Sequence, residues 1–134
     1  MSKIKKAALA TAVAMSALTS LVLTAPAANA DTRGCNGSGG GYCIWVQGSG
    51  NHVNRVVVGG TSLSGILSFT GHYRIFGPDF SRNTEEKEWK WYERPYVDRN
   101  QDYPSGSKFC MEQWSSNGRG GWDLLSLPCV YTPV

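Results

Sequence analysis

From residue 42 onward apolar positions recur every second residue in short runs, and no run keeps the 3.6-residue period of a helix. Tyr42 to Val46 predicts a short strand. His52 to Val58 predicts a second, with Val53, Arg55 and Val57 on one face and Asn54, Val56 and Val58 on the other. Leu63 to Phe69 alternates more weakly, and His72 to Phe76 places Tyr73 and Ile75 inward. Gly48-Ser49-Gly50-Asn51, Gly59-Gly60, Thr70-Gly71 and Gly77-Pro78-Asp79 punctuate these runs with turn chemistry.

The second half continues the pattern. Ser81 to Glu88 is polar and acidic, and reads as a loop or one helical turn. In Glu88 to Val97, Trp89 and Trp91 share one strand face and Lys90 and Tyr92 the other, while Pro95 confines the later part to a sheet edge. Asp98 to Gly106 reads as an exposed turn region. Ser107 to Trp114 is a strand, Ser116-Asn117-Gly118 carries the Asn-Gly signal of a tight hairpin, and Gly121 to Val130 is the returning last strand. Six or seven short strands predict an all-β fold, a small single-domain sandwich or barrel.

The N-terminus follows other rules. Lys3, Lys5 and Lys6 precede an uncharged run from Ala7 to Leu23, and Ala28-Asn29-Ala30 forms an A-x-A cleavage site. Residues 1–30 are therefore expected to be a secretory signal peptide, with a mature, extracellular chain starting at Asp31. Removing thirty of the 134 residues leaves 104, enough for one domain. Residues 31–41 are glycine-rich and predict a flexible N-terminal segment, followed by the β domain over residues 42–134.

Cleavage also changes the charge. Three of the thirteen basic residues and none of the ten acidic ones lie in the signal, so the mature chain carries ten of each and no net charge. Nucleic-acid binding loses the cationic surplus it needs. No second apolar stretch reaches the roughly 18 residues that cross a bilayer, so no membrane insertion is expected. The five Trp, six Tyr and four Phe all follow residue 30, which gives a small domain enough aromatic surface for a core.

Cys35, Cys43, Cys110 and Cys129 read as two disulfides in an oxidising compartment. Cys35–Cys43 and Cys110–Cys129 are the favoured pairs because each is close in sequence and spans turn residues; Cys43–Cys110 is the alternative. The spacings and the absence of nearby histidines argue against zinc.

Catalytic constellations are hard to find. The mature chain has only His52 and His72 as bases, and no G-x-S-x-G elbow. Glu85, Glu86, Glu88 and Glu93 are interleaved with Lys87, Lys90 and Arg94, which reads as a self-neutralising solvated face rather than a glycosidase pair. Asp98-Arg99-Asn100-Gln101-Asp102 lacks the glycine and closing glutamate of a calcium loop, and no phosphate-cradling loop is present. The expectation is a non-enzymatic chain without cofactor. Trp89 to Tyr96 is the strongest local feature: the tryptophans there, with Trp45, Trp114 and Trp122, read as core, and Tyr92, Arg94 and Tyr96 as contact residues. Asp31, Thr32, Arg33 and Gly34, in the segment free to order on a partner, complete the candidate protein-binding set.

The alanine-rich signal, the Gly-Tyr-Cys at residues 41–43, Gly71-His72-Tyr73-Arg74-Ile75-Phe76-Gly77-Pro78, Ser107-Lys108-Phe109-Cys110 and Leu127-Pro128-Cys129-Val130 together resemble small secreted proteins of filamentous actinobacteria. Within that group the chain is similar in size and layout to the small adaptor subunit of secreted antibacterial umbrella toxin particles. The resemblance implies a non-catalytic adaptor, with other secreted proteins as partners and the N-terminal segment docked into a neighbour. Secreted actinobacterial peptidase inhibitors are the alternative, with Arg99 or Arg119 in an exposed loop. Binding of carbohydrate or cell-wall glycans through exposed aromatics is the third reading.

Overall fold

A computed structural model describes residues 30–36, 41–62 and 68–134. The signal segment up to residue 29, the glycines at 37–40 and the first part of the Leu63 to Phe69 run lie outside the described residues. Ten strands and no helix occur among those described: β1 Ala30–Asn36, β2 Tyr42–Ser49, β3 His52–Gly60, β4 Ser68–Gly77, β5 Phe80–Asn83, β6 Lys87–Lys90, β7 Tyr96–Asp102, β8 Lys108–Ser116, β9 Trp122–Ser126 and β10 Cys129–Tyr131. They form an all-β sandwich of two antiparallel sheets rather than a closed barrel.

The first sheet runs β1-β2-β3-β7. In the second, β8 and β4 pair centrally; β10 and β9 share the far edge of β8, and β5 and β6 share the far edge of β4. The inner faces supply the core: Ile44, Val46, Val53, Val56 and Val58 from the first sheet meet Tyr73, Ile75, Phe109 and Met111 from the second, all at most 1% exposed. Each such side chain stabilises the fold by about 1.5–3 kcal/mol through burial. Tyr73, inward as expected, packs edge-on to Phe69 at 5.2 Å and to Trp89 at 5.5 Å between ring centroids.

Both favoured disulfides are present, and each joins residues directly opposite on adjacent strands: Cys35–Cys43 across β1–β2 and Cys110–Cys129 across β8–β10. Their Cα separations of 4.1 and 4.2 Å suit close antiparallel pairs.

Several local expectations are corrected. The segment from Asp31 to Asn36 is not a free tail but most of strand β1, in register with β2 from Ala30↔Gly48 to Asn36↔Tyr42, because it continues the sheet past the first disulfide. In β3, Val53 faces the core with Val56 and Val58. The register on β2 passes from Gln47↔Arg55 to Gly48↔Val53, so Asn54 is an extra residue that reverses the alternation. On β7 the matching irregularity places Asn100 at φ 47°, which asparagine tolerates better than most residues.

Thr70-Gly71 is not a turn; β4 runs through it, and a Cβ on Gly71 would overlap the Trp114 carbonyl oxygen of the neighbouring strand. Ser81 to Glu88 is no helical turn: it holds most of β5 and the start of β6. The expected strand from Glu88 to Val97 breaks at a turn at Trp91-Tyr92, and the expected loop from Asp98 to Gly106 is strand as far as Asp102. The last strand is two, β9 and β10, separated by Leu127-Pro128.

A polar latch joins the sheets. Asp79, in the β4–β5 turn, accepts hydrogen bonds from Arg99 Nη2 at 2.6 Å, Gln101 Nε2 at 2.8 Å and the Tyr103 hydroxyl at 2.9 Å. Arg99 also lies 4.5 Å over the Phe80 ring.

Candidate functional site

Cross-strand register decides which side chains share the outer face of the first sheet. One row crosses four strands as Arg33↔Trp45↔Val57↔Tyr96, and the next as Asp31↔Gln47↔Arg55↔Asp98. At strand spacings near 4.8 Å each row spans about 14 Å. The loop between β6 and β7 folds back over this face at Arg94, which also occupies the space a Cβ on Gly59 would need. Asp31, Trp45, Gln47, Val57 and Arg94 line an open cleft of about 350 Å³.

Two guanidiniums sit on the rings of this face. Arg55 lies 3.9 Å over Tyr96 and donates from Nε to Asp98 Oδ1 at 2.6 Å. Arg94 lies 4.8 Å over Trp45 and donates from Nη1 to the carbonyls of Trp91 at 2.6 Å and Glu93 at 3.2 Å. The difference is chemical. Arg55 has a carboxylate; Arg94 has only backbone acceptors, and partial burial holds its pKa below the ordinary arginine value.

Four of the seven candidate contact residues, Asp31, Arg33, Arg94 and Tyr96, therefore meet on one surface, although three segments carry them. Thr32 and Gly34 do not. They pair with Val46 and Ile44 and so face the sandwich interior, where Gly34 abuts Cys129 of β10. Tyr92 lies apart on the Trp91-Tyr92 turn, 62% exposed, with its ring edge-on to Trp91 at 5.8 Å. Of the tryptophans, Trp89 is core as expected. Trp45, Trp91 and Trp114 are only half-buried and Trp122 is 37% exposed, because strand parity or turn position puts them on outer surfaces.

A second surface escaped the sequence reading. Four of the five β9 residues are exposed, and Leu124, Leu125 and Leu127 keep 45, 46 and 45% of their area accessible. Trp122, at the start of β9, is exposed beside them and meets the His72 ring edge-on at 4.7 Å. Among the described residues β9 pairs only with β8, so its outer edge is open. The signal was the run Leu-Leu-Ser-Leu at 124–127, too apolar for a half-exposed strand with one buried face.

His52 Nδ1 is 2.6 Å from Asp102 Oδ1 and its Nε2 is 3.1 Å from Asn100 Oδ1, in an exposed cluster. Glu93 bonds Lys87 and the Lys90 backbone, and Glu88 pairs with Lys90, so these glutamates form the self-neutralised set expected of them. Among the described residues no group of three His, Cys, Asp or Glu is arranged to hold a metal. Arg99 is locked in the latch, whereas Arg119 sits in an exposed loop whose Gly118 and Gly120 take left-handed φ values of 73° and 78°. Asn117 Oδ1 closes that loop by accepting from the Arg119 and Gly121 amides.

Compared with known proteins, the chain matches no family model, no curated protein and no solved structure.

Proposed function

We propose that the chain is a secreted, non-catalytic protein-binding module that works as an adaptor in an extracellular antibacterial assembly. The observation that carries the reading is the open β9 edge with its exposed Trp122, Leu124, Leu125 and Leu127. An open strand edge flanked by large apolar side chains is the surface that partner proteins cover. An adaptor needs a second surface, and the arginine–aromatic face of the first sheet lies on the other sheet of the sandwich. The two disulfides suit the oxidising compartment that the N-terminal lysines, apolar run and A-x-A site imply. Protein is favoured over glycan because one face of both Trp45 and Tyr96 is already covered by a guanidinium, leaving less ring surface for a sugar to stack on.

The test is affinity capture of the tagged mature protein from its producer's culture medium, with mass spectrometry of what is retained. Large secreted proteins at fixed ratio are expected, and Leu124→Lys with Leu125→Lys should abolish their capture. A peptidase retained alone would replace this reading with inhibition, and an empty capture would overturn it.

A further inference from the structure

We infer that Arg94, in the cleft floored by Trp45 and with Arg33 at the adjoining position of β1, receives a carboxylate side chain from an acidic segment of a partner protein. The inference rests on the protein-binding reading and adds the chemistry of one of its two surfaces.

Charges on the outer face of the first sheet are sorted by row. Asp31 and Asp98 belong to the row that contains Arg55, with Arg55 paired to Asp98 at 2.6 Å, and Asp102 further along β7 is engaged by His52. The adjacent row holds Arg33, Trp45, Val57 and Tyr96, with Arg94 above Trp45. Neither Arg33 nor Arg94 has a carboxylate partner among the described residues. Arg74 pairs with Glu112 at 3.1 Å and Arg99 with Asp79 at 2.6 Å; Arg82 on β5 and Arg119 in its loop also lack a carboxylate among the described residues, but neither lines the cleft floored by Trp45.

Geometry adds to the charge. Trp45 is the direct cross-strand neighbour of Arg33 and carries Arg94 on its ring, so both cations border one indole. Only Nη1 of Arg94 is committed to backbone carbonyls, which leaves its other donors for a planar, two-oxygen acceptor. The site is already partly desolvated, so a charge-assisted hydrogen bond formed there is less diluted by water than one on open surface. Trp45 and Val57 give the floor an apolar character suited to the methylenes of a glutamate. Asp31 lines the same cleft, and its negative charge favours a single incoming carboxylate at Arg94 over a dense acidic cluster.

The experiment is fluorescence polarisation of the secreted protein with a fluorescein-labelled, end-blocked peptide Gly-Leu-Glu-Leu-Gly, against the same peptide with Gln or Lys in place of Glu. The Glu peptide should bind at least about tenfold more tightly than the Gln peptide, the Lys peptide should not bind, and added salt should weaken the Glu complex. Arg33→Gln and Arg94→Gln should each remove the preference for Glu, and Arg94→Lys should restore part of it as a charge without the planar fork. Arg33 is exposed on β1, so its variant tests the idea even where Arg94→Gln disturbs the loop over Gly59. Leu124→Lys should leave peptide binding unchanged. Equal binding of the Glu and Gln peptides, or no binding of either, overturns the inference. If capture of secreted partners through β9 persists in that case, the adaptor reading stands without it; if capture fails as well, both fall.

Discussion

The two outer surfaces of the sandwich solve exposure differently. On the first sheet the exposed rings lie under guanidiniums, Tyr96 under Arg55 and Trp45 under Arg94, and Arg55 in turn is held by Asp98. The rings of that face are covered within the chain, although Arg33 and Arg94 have no carboxylate partner among the described residues. At β9 the exposed Leu124, Leu125 and Leu127 have only Asp123 and Ser126 for polar company in the strand, and the open backbone edge lies alongside. Apolar area of this kind stays hydrated unless something covers it, at about 25 cal/mol per Å². The same fold thus carries one charged, ring-capped face and one apolar edge; if both bind partners as proposed, the first should respond to salt and the second should not.

The largest effect that can divide these surfaces comes from the disulfides. Closing loops of 19 and 8 residues, Cys110–Cys129 and Cys35–Cys43 restrict the unfolded chain by about 3 and about 2.5 kcal/mol. Replacing each pair by alanines should lower the urea-unfolding free energy by about those amounts. Their consequences for binding should differ. Among the described residues β1 pairs only with β2, so loss of Cys35–Cys43 should loosen Arg33 and Asp31 and weaken acidic-peptide binding while the proposed capture through β9 persists. Loss of both activities in both variants would mean that the two surfaces are one cooperative unit.

The latch comes next in size. Arg99→Gln removes charge and donors from Asp79, whose contacts span the sheets, and should cost about 1–2 kcal/mol. Asp79 adds an acid signature. Partial desolvation pushes its pKa up, but hydrogen bonds from Tyr103 and Gln101 and the charge of Arg99 outweigh it, so its pKa lies below the ordinary 3.8. A carboxylate with a lowered folded pKa contributes stability above its unfolded value and loses it as pH falls through the folded value. Asp79→Asn should therefore flatten the decline in stability below about pH 4. An unchanged acid limb would assign that decline to other carboxylates.

The class of fold was legible because two signals agree across the chain: period-2 apolar spacing and glycine-rich turns. The disulfides were legible because both pairs turned out to be local, across adjacent strands. What stayed hidden was set by long-range pairing. Nothing near Asn54 announces that an extra residue there turns Val53 inward, since the irregularity exists only against β2 and β7. Gly71 looked like a turn because its other role, letting β4 approach Trp114 on β8, involves a strand over forty positions away. For the same reason Arg33, Trp45 and Arg94 could be suspected singly but not assembled: three segments bring them together, and no spacing along the chain encodes that. Thr32 and Gly34 were grouped with Asp31 and Arg33 because a flexible tail has no faces, whereas a paired strand has two.

A smaller effect isolates the apolar surface. Leu124→Lys with Leu125→Lys replaces exposed side chains, so stability should stay within about 0.5 kcal/mol of the parent in urea unfolding. A larger loss would show that these leucines pack in the folded chain, and the contrast between the faces would disappear.

The smallest effect concerns pH. Protonated His52 donates from Nδ1 to Asp102 Oδ1 and from Nε2 to Asn100 Oδ1, and the hydrogen bond with Asp102, then that with Asn100, raises its pKa above the ordinary 6.5. A proton held more tightly by the folded chain stabilises it. That contribution is complete below the unfolded value and disappears as pH rises through the higher folded value. A small decline in stability is therefore expected on the alkaline side of pH 6.5, and His52→Gln should remove it. The imidazole resonance should titrate with a midpoint above 6.5 in the parent, and Asp102→Asn should bring it down. Both groups are well exposed, so the shift is a local reporter and not a main support of the fold. It nevertheless separates the two regions. His52 belongs to β3 of the first sheet, whereas β9 itself carries only Asp123 as an ionisable side chain. In a His72→Gln background, which removes the imidazole packed against Trp122, capture through β9 should stay flat between about pH 6 and 8 while the His52 resonance moves. A capture curve that follows the His52 titration would tie the apolar edge to the first sheet and end the separation drawn between them.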